Sequence, residues 1–285
     1  MGTIVTALPT LRAHEFELIR VLAHEHFGLD LRSGKEGLVA ARLGRRLREL
    51  GLRSYREYYD HVVSDRTGAA MTAMVDCLTT NHTSFFREAR HFEFLRDTIF
   101  PALKMRPQIH IWSAACSSGE EPYSIAMSWL EESHGEFGSR LRIKATDIST
   151  KILERARRGE YSSDRIKEIH LPMVQRYLLR TASGDSFTFK NAVRVLIEFQ
   201  YLNLVESLPA GYRCSVIFCR NIMIYFDKKT QQDLVQRLSA HLEDGGYLFI
   251  GHAESLSSIE HGLTYVSPAI YRKPGPRHSG QNGRL

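Results

Sequence analysis

Two apolar segments, IHIWSA at 109–114 and LRIKATD at 141–147, are separated by a stretch with room for one helical pattern, at 121–133. A second helical segment, STKILERARRG at 149–159, follows and stops on Gly159. Strand, helix, strand, helix with short connections implies right-handed crossovers, and hence a parallel sheet with helices packed on it. The pattern resumes with CSVIFC at 214–219, a helix from about 228 to 243 started by Asp227, and GGYLFIGHAE at 245–254. TYVSPAIYRK at 264–273 reads as a last strand. Residues 160–200 break the alternation. The period-two spacing within SFTFKNAVRVLIEFQYLNL (186–204) predicts a small antiparallel excursion inserted into the α/β unit.

Ahead of this unit, residues 14–80 carry helical spacing and little strand signal. In GLVAARLGRRLRELG (37–51), Leu43, Leu47 and Leu50 form one stripe, Arg42, Arg45, Arg46 and Arg48 fall on the other side, and Gly51 is a C-terminal stop. SYREYYDHVVSD (54–65) and GAAMTAMVDCLTT (68–80) continue the helices. The expectation is a basic helical domain over 14–80, an α/β domain over 81–274 with its antiparallel insertion at 160–200, and a disordered tail at 275–285.

No apolar run approaches the roughly 18 to 20 residues needed to span a bilayer, and the N-terminus lacks the pattern of a secretory signal. A cytoplasmic protein without direct membrane insertion is expected. The four cysteines show no CxxC spacing and read as buried free thiols. The thirteen histidines form no HExxH or Cys/His cluster, so no metal site is expected. The net charge of +6 permits an acidic partner without identifying one.

Chemistry concentrates at the ends of the expected strands. WSAACSSGEEPYSIA (112–126) is a strand, a loop of small residues and a helix with Pro122 in its first turn, a layout that lets backbone approach a ligand closely. The helix macrodipole explains one acid at the helix start; Glu120 and Glu121 together invite a ligand. Asp147 ends the second strand, where an acid accepts ribose hydroxyls in doubly wound folds. Its other reading is a helix cap, for which Ser149 is better placed. In FCRN, Arg220 and Asn221 interrupt an apolar run at a third strand end, again where open α/β sheets bind ligands. Phosphate-binding glycines and a second nucleotide-binding half are both missing. A nucleoside ligand without phosphate, S-adenosylmethionine, fits best.

Four blocks, TTNHTSFFREARHF (79–92), WSAACSSGEEPYSIA, ATDI (145–148) and FCRNIMIYFD (218–227), stand in this order behind a basic helical region. In sequence and spacing the chain closely resembles the chemotaxis-receptor protein-glutamate O-methyltransferases, the CheR family, over about residues 14–272. The resemblance implies a helical N-terminal domain followed by a doubly wound, mostly parallel S-adenosylmethionine-dependent methyltransferase domain with a small antiparallel β-subdomain. It implies that the cofactor is held by Asn81, Thr83, Arg87, Glu121, Asp147, Asn203, Leu204, Arg220 and Asn221, with Tyr225 near the transferable methyl and Arg87 and Tyr225 as the catalytic pair. Phe85 and Phe86 are expected in the core.

The implied reaction is methylation of receptor glutamates, giving methyl esters and S-adenosylhomocysteine. The implied partner is the cytoplasmic domain of methyl-accepting chemoreceptors, met by a monomer through Arg42, Arg45, Arg46 and Arg48. Some members of the family dock on a receptor C-terminal pentapeptide through a longer glycine-containing loop than RTASGDSF (180–187). This departure favours a pentapeptide-independent enzyme. One rival is a nucleic-acid methyltransferase, but RNIMIY lacks the Pro-Pro that base-amine chemistry uses, and no nucleic acid is expected. The other is a non-catalytic S-adenosylmethionine-binding adaptor, disfavoured because Arg87 and Tyr225 are both present.

Overall fold

The computed structural model describes residues 9–80, 82–134 and 140–275. Four helices come first: α1 (Ala13–Phe27), α2 (Glu36–Leu50), α3 (Tyr55–Ser64) and α4 (Ala69–Leu78). Each boundary has a local cause. Gly28 and Gly51 end α1 and α2 in the left-handed conformation, and the Ser54 hydroxyl accepts the Glu57 N–H at the start of α3. A short helix α5 (Ala89–Phe94) runs through a π-helical turn (Leu95–Ile99) into α6 (Phe100–Leu103).

The alternating unit follows: β1 (Ile109–Ala114), α7 (Glu120–Glu132), β2 (Leu141–Asp147) and α8 (Thr150–Arg158). Both strands lie where the sequence puts them, and the Ser149 hydroxyl caps α8 by accepting the Ile152 N–H. The insertion comprises β3 (Glu160–Ser162), α9 (Leu171–Tyr177), β4 (Leu178–Arg180), β5 (Ser186–Phe189) and α10 (Asn191–Arg194). The chain then forms β6 (Ile197–Tyr201), β7 (Cys214–Cys219), α11 (Lys228–His241), β8 (Leu242–Phe249), β9 (Thr264–Ser267) and β10 (Ile270–Arg272).

The main sheet has seven strands in the order β6-β2-β1-β7-β8-β10-β9. Neighbours from β6 to β8 are parallel, and β10 and β9 add an antiparallel edge. All six residues of β7 are buried, as expected of a central parallel strand covered on both faces. The order reverses at β1, which lies between β2 and β7, and this switch point is where open α/β sheets bind ligands.

Two expectations are corrected. The antiparallel excursion is real, a three-stranded sheet in the order β3-β5-β4, but it ends at Phe189. The helical turn α10 interrupts the extended chain, and β6 joins the main sheet parallel to β2, so the period-two spacing of 186–204 spans two sheets. The segment 264–273 is a hairpin and not one strand. Ala269, at φ 63°, turns the chain back between β9 and β10.

The four helices share a continuous apolar core with one side of the sheet: Phe16, Leu43 and Tyr58 belong to the same cluster as Trp112, Ile217 and Leu234. The link is tight at the end of α1. The Asp30 N–H donates to the Tyr225 carbonyl at 2.7 Å, and Leu29 bridges Phe226. A side chain at Gly28 would come within 2.8 Å of Thr230 and 2.9 Å of Val205. Asp227 caps α11 through the Thr230 N–H and also meets His24 Nε2 of α1 at 2.7 Å. Among the described residues no helix is long and apolar enough to cross a membrane.

Candidate active site

The carboxyl ends of β1, β2, β6 and β7 open, beneath the ends of α1 and α4, on a cavity of about 350 Å³. The loop after β1 is pulled back tightly, with Ala115, Ser117 and Gly119 all at positive φ (64°, 50° and 98°). Gly119 has no room for a side chain, since a Cβ there would meet the Tyr161 hydroxyl at 2.9 Å. The fold of this loop aims the Ser117 N–H at Asp147 Oδ2 (2.8 Å), while the Ser149 N–H donates to Oδ1 (3.0 Å). Burial pushes the Asp147 carboxyl up, and these two N–H groups oppose the shift. Each oxygen keeps a lone pair for a further donor.

The two acids that open α7 part company. Glu120 is fully buried, paired with Arg165 and accepting the Ser118 hydroxyl at 2.7 Å, and does not line the cavity. Glu121 lines the cavity, accepts the Ser113 hydroxyl at 2.7 Å and pairs with Arg220 at 2.9 Å.

Arg220 explains the polar interruption after β7. Its side chain is only 4% exposed, between Glu121 and Glu88, whose Oε2 lies 2.9 Å from Nη2; the guanidinium also donates to the Arg87 carbonyl. A buried cation needs such partners. Burial raises the Glu88 carboxyl, but the Arg220 charge, the Arg220 hydrogen bond, the His252 backbone N–H and the His252 charge together outweigh it and hold it below the ordinary range. Asn221 follows at φ 59°. Its N–H donates to Glu254 Oε2 (2.9 Å), and its amide nitrogen lies 3.4 Å from Glu88 Oε1. Burial pushes Glu254 up against the pull of N–H groups from Gly251, Asn221 and Ile224. Gly251 is indispensable here, because a Cβ would lie 2.2 Å from the Asn221 amide nitrogen.

The other expected residues are placed as follows. Thr83 and Leu204 are buried in the cavity wall. Arg87 lines the cavity and donates from Nη1 to the His82 carbonyl at 2.6 Å. The Tyr225 hydroxyl, also at the cavity, accepts the Thr80 N–H at 3.0 Å. Asn203 lines the cavity too, but both amide hydrogens go elsewhere, to the His26 carbonyl and Glu206 (2.9 Å each), so its side chain ties β6 to α1. Asn81 lies outside the described residues. Phe85 is core, beside Tyr161 and Phe189, and Phe86 packs half-buried on Phe92.

The four arginines of α2 do not act alike. Arg42 turns inward, donating to the Leu78 carbonyl and to Thr80 Oγ1 (2.7 Å), and so braces the cavity rim. Arg45 and Arg46 share Glu49 at the surface, 3.1 Å each, and Arg48 is exposed.

Glu88, Glu254 and Gly251 escaped the sequence reading. Glu88 stands beside Arg87 within FFREARHF, and the other two follow β8 in GHAE. Polar residues after an apolar strand are the signal that exposed FCRN, and it could have found GHAE.

Residues 81–271 match the family model for the CheR methyltransferase SAM binding domain, and residues 14–79 match the CheR methyltransferase all-alpha domain. Among curated proteins, the chain is 38% identical over 265 residues to a chemotaxis protein methyltransferase of Borreliella burgdorferi, covering 90% of this chain and 92% of that protein. It is 39% identical over 260 residues to chemotaxis protein methyltransferase 2 of Pseudomonas aeruginosa, with 90% and 92% covered. Identity to the chemotaxis protein methyltransferase of Escherichia coli is 37% over 261 residues, with 90% and 89% covered.

Proposed function

The chain belongs to the CheR methyltransferase family, whose cofactor is S-adenosylmethionine, and from that premise we propose that it methylates glutamate side chains of chemoreceptors. The products are glutamate methyl esters and S-adenosylhomocysteine, formed in the cytoplasm by a monomer. The observation that carries the reading is the carboxylate-rich cavity at the switch point of the sheet.

The residues present fit the cofactor. Asp147 offers lone pairs to ribose hydroxyls, Glu121 offers negative charge to an ammonium, and Leu204, Ile148 and Phe226 supply apolar wall for a base. When bound, S-adenosylmethionine supplies an electrophilic methyl group on a sulfonium. The chain itself provides alignment. A glutamate carboxylate, with an ordinary pKa near 4.3, is already ionised at neutral pH and requires no strong base. Arg87, at the cavity, orients that carboxylate by charge-assisted hydrogen bonds, and Tyr225 adds a donor whose position is fixed through Thr80. Holding the reacting groups in line supplies several kcal/mol, up to roughly 7 to 11 in ideal cases.

Arg45 and Arg48 face solvent, Arg46 is half-buried beside them, and together they suit an acidic receptor segment. The turn Thr181–Asp185 is short and closed by the Thr181 N–H on the Ser186 carbonyl and by Arg180 on the Gly184 carbonyl; methylation without a pentapeptide tether is proposed on the shortness of RTASGDSF relative to the longer loop of tethered members.

Peptide mass spectrometry of a receptor cytoplasmic domain, incubated with the protein and S-adenosylmethionine, tests the proposal. Methyl groups on glutamates are expected; an unmodified receptor beside methylated RNA or DNA would refute it. Arg87→Ala should lose far more turnover than S-adenosylhomocysteine affinity, as calorimetry and kinetics would show. Equal losses would make Arg87 a binding residue only.

A further inference from the structure

Behind Arg220, on the side away from the cavity, Glu88, His91 and His252 turn toward one another. One ligating atom from each lies within 4.8 Å of the others. His91 Nδ1 is 3.4 Å and His252 Nε2 4.0 Å from the same oxygen, Glu88 Oε2. Ligands on a tetrahedral zinc ion, with arms of 2.0–2.1 Å, stand roughly 3.3 Å apart. The first pair already meets that spacing, and the exposed His252 side chain must swing inward to close the remaining separations, which all lie within 4.8 Å. The two rings meet edge to face, with centroids 4.9 Å apart.

His91 gives this cluster its meaning. It is 1% exposed, and neither ring nitrogen makes a well-aligned hydrogen bond, although Glu88 Oε2 lies 3.4 Å from Nδ1 and the Pro268 carbonyl is also close. Buried polar groups are ordinarily well satisfied, so a poorly satisfied imidazole facing a carboxylate calls for an explanation. The His252 side chain is 43% exposed, which leaves the cluster accessible to solvent. None of the three residues lines the cofactor cavity.

We propose that Glu88, His91 and His252 form an inhibitory site for a divalent transition-metal ion that binds imidazole, of the zinc class. Two imidazoles and one carboxylate suit such an ion and not magnesium or calcium. Inhibition follows from shared atoms. Glu88 Oε2 is the oxygen that pairs with Arg220 Nη2, and Glu88 Oε1 accepts from the His252 N–H and faces the Asn221 amide. An ion on Glu88 competes with Arg220 for that oxygen and draws the carboxylate away from both cavity residues. Cofactor and metal therefore oppose each other, and the opposition must be reciprocal.

The test uses the full, untagged chain and zinc chloride. Equilibrium dialysis measures bound zinc, and calorimetry measures S-adenosylhomocysteine affinity with and without it. One zinc per chain is expected, with S-adenosylhomocysteine affinity falling by roughly 10-fold or more and zinc affinity falling by the same factor when S-adenosylhomocysteine is saturating. His252→Gln should abolish both effects while leaving metal-free affinity unchanged. Equal zinc uptake by His252→Gln, which would trace to other histidines, or bound zinc without effect on S-adenosylhomocysteine, would overturn the proposal. Neither outcome bears on methyl transfer by the metal-free protein.

Discussion

Arginine meets glutamate in two regions of this molecule, and burial separates what the two meetings do. On α2, Arg45 and Arg46 reach Glu49 at 3.1 Å with much of each side chain in water. Exposed pairs of this kind contribute about 0 to 1 kcal/mol, so these arginines remain available to another acidic partner. After β7, Arg220 reaches Glu88 and Glu121 at 2.9 Å with 4% exposure, and neither partner can leave without stranding a charge. On the proposed reading the first region steers association and the second fixes the geometry of a cofactor site, so the same two residue types would serve recognition at the surface and preorganisation inside.

The contrast yields ordered consequences. Arg220→Ala should have the largest effect, because removing one partner of a buried ion pair costs roughly 3 to 5 kcal/mol. Chemical denaturation should show that loss, and calorimetry should show S-adenosylhomocysteine binding falling with it; intact binding would break the comparison. Gly251→Ala comes next. Its methyl collides with the Asn221 amide, and such overpacking typically costs about 1 to 3 kcal/mol. Cofactor affinity should fall again, although residue 251 does not line the cavity.

Asp227 has a smaller, pH-dependent effect. The Thr230 N–H and the His24 side chain hold its carboxyl down at about 2, below the roughly 3.9 of an unfolded chain. Its stabilisation is therefore complete above about pH 4 and is lost as pH falls toward 2. Asp227→Asn keeps a good helix cap and should cost under about 1 kcal/mol at neutral pH, given the partial exposure of the His24 pair. Denaturation curves between pH 5 and 2.5 should fall more steeply for the parent chain; parallel curves would remove Asp227 from the link between α1 and α11.

The smallest effect on the fold belongs to the double change Arg45→Glu with Arg46→Glu. Stability should move by no more than about 1 kcal/mol, and S-adenosylhomocysteine affinity should stay level. Receptor methylation at low salt should drop steeply, and the gap to the parent chain should narrow as salt rises. Lost cofactor binding would mean that α2 supports the cavity and is not a recognition surface.

Much of the fold was legible because its strands announce themselves: β1, β2 and β7 are apolar runs closed by turn-forming or polar residues, and their ends are where the sequence puts them. The two differences have separate physical causes. Period-two spacing reports extended chain, not which sheet receives it, so it cannot separate β6, which pairs with β2, from the antiparallel insertion. At 264–273, Ala269 adopts a positive φ that its residue type does not advertise, which hides the hairpin. Within the site, Glu121, Asp147 and Arg220 were visible as charges at strand and helix ends. Glu88 and His91 were not, because their partners come from residues 220 and 252, brought near only by the sheet order. Arg42 looked like its neighbours on a helical wheel, yet it lies close enough to Leu78 and Thr80 to turn inward.

The claim that the cavity serves carboxyl methylation can be tested directly by incubating the protein with methyl-labelled S-adenosylmethionine and membranes bearing chemoreceptors of its own organism. Treating the receptor band with base should release the label as volatile methanol, and receptors whose methylation-site glutamates are changed to alanine should take up none. Tight S-adenosylhomocysteine binding with no label on any receptor, or label that resists base, would contradict the account.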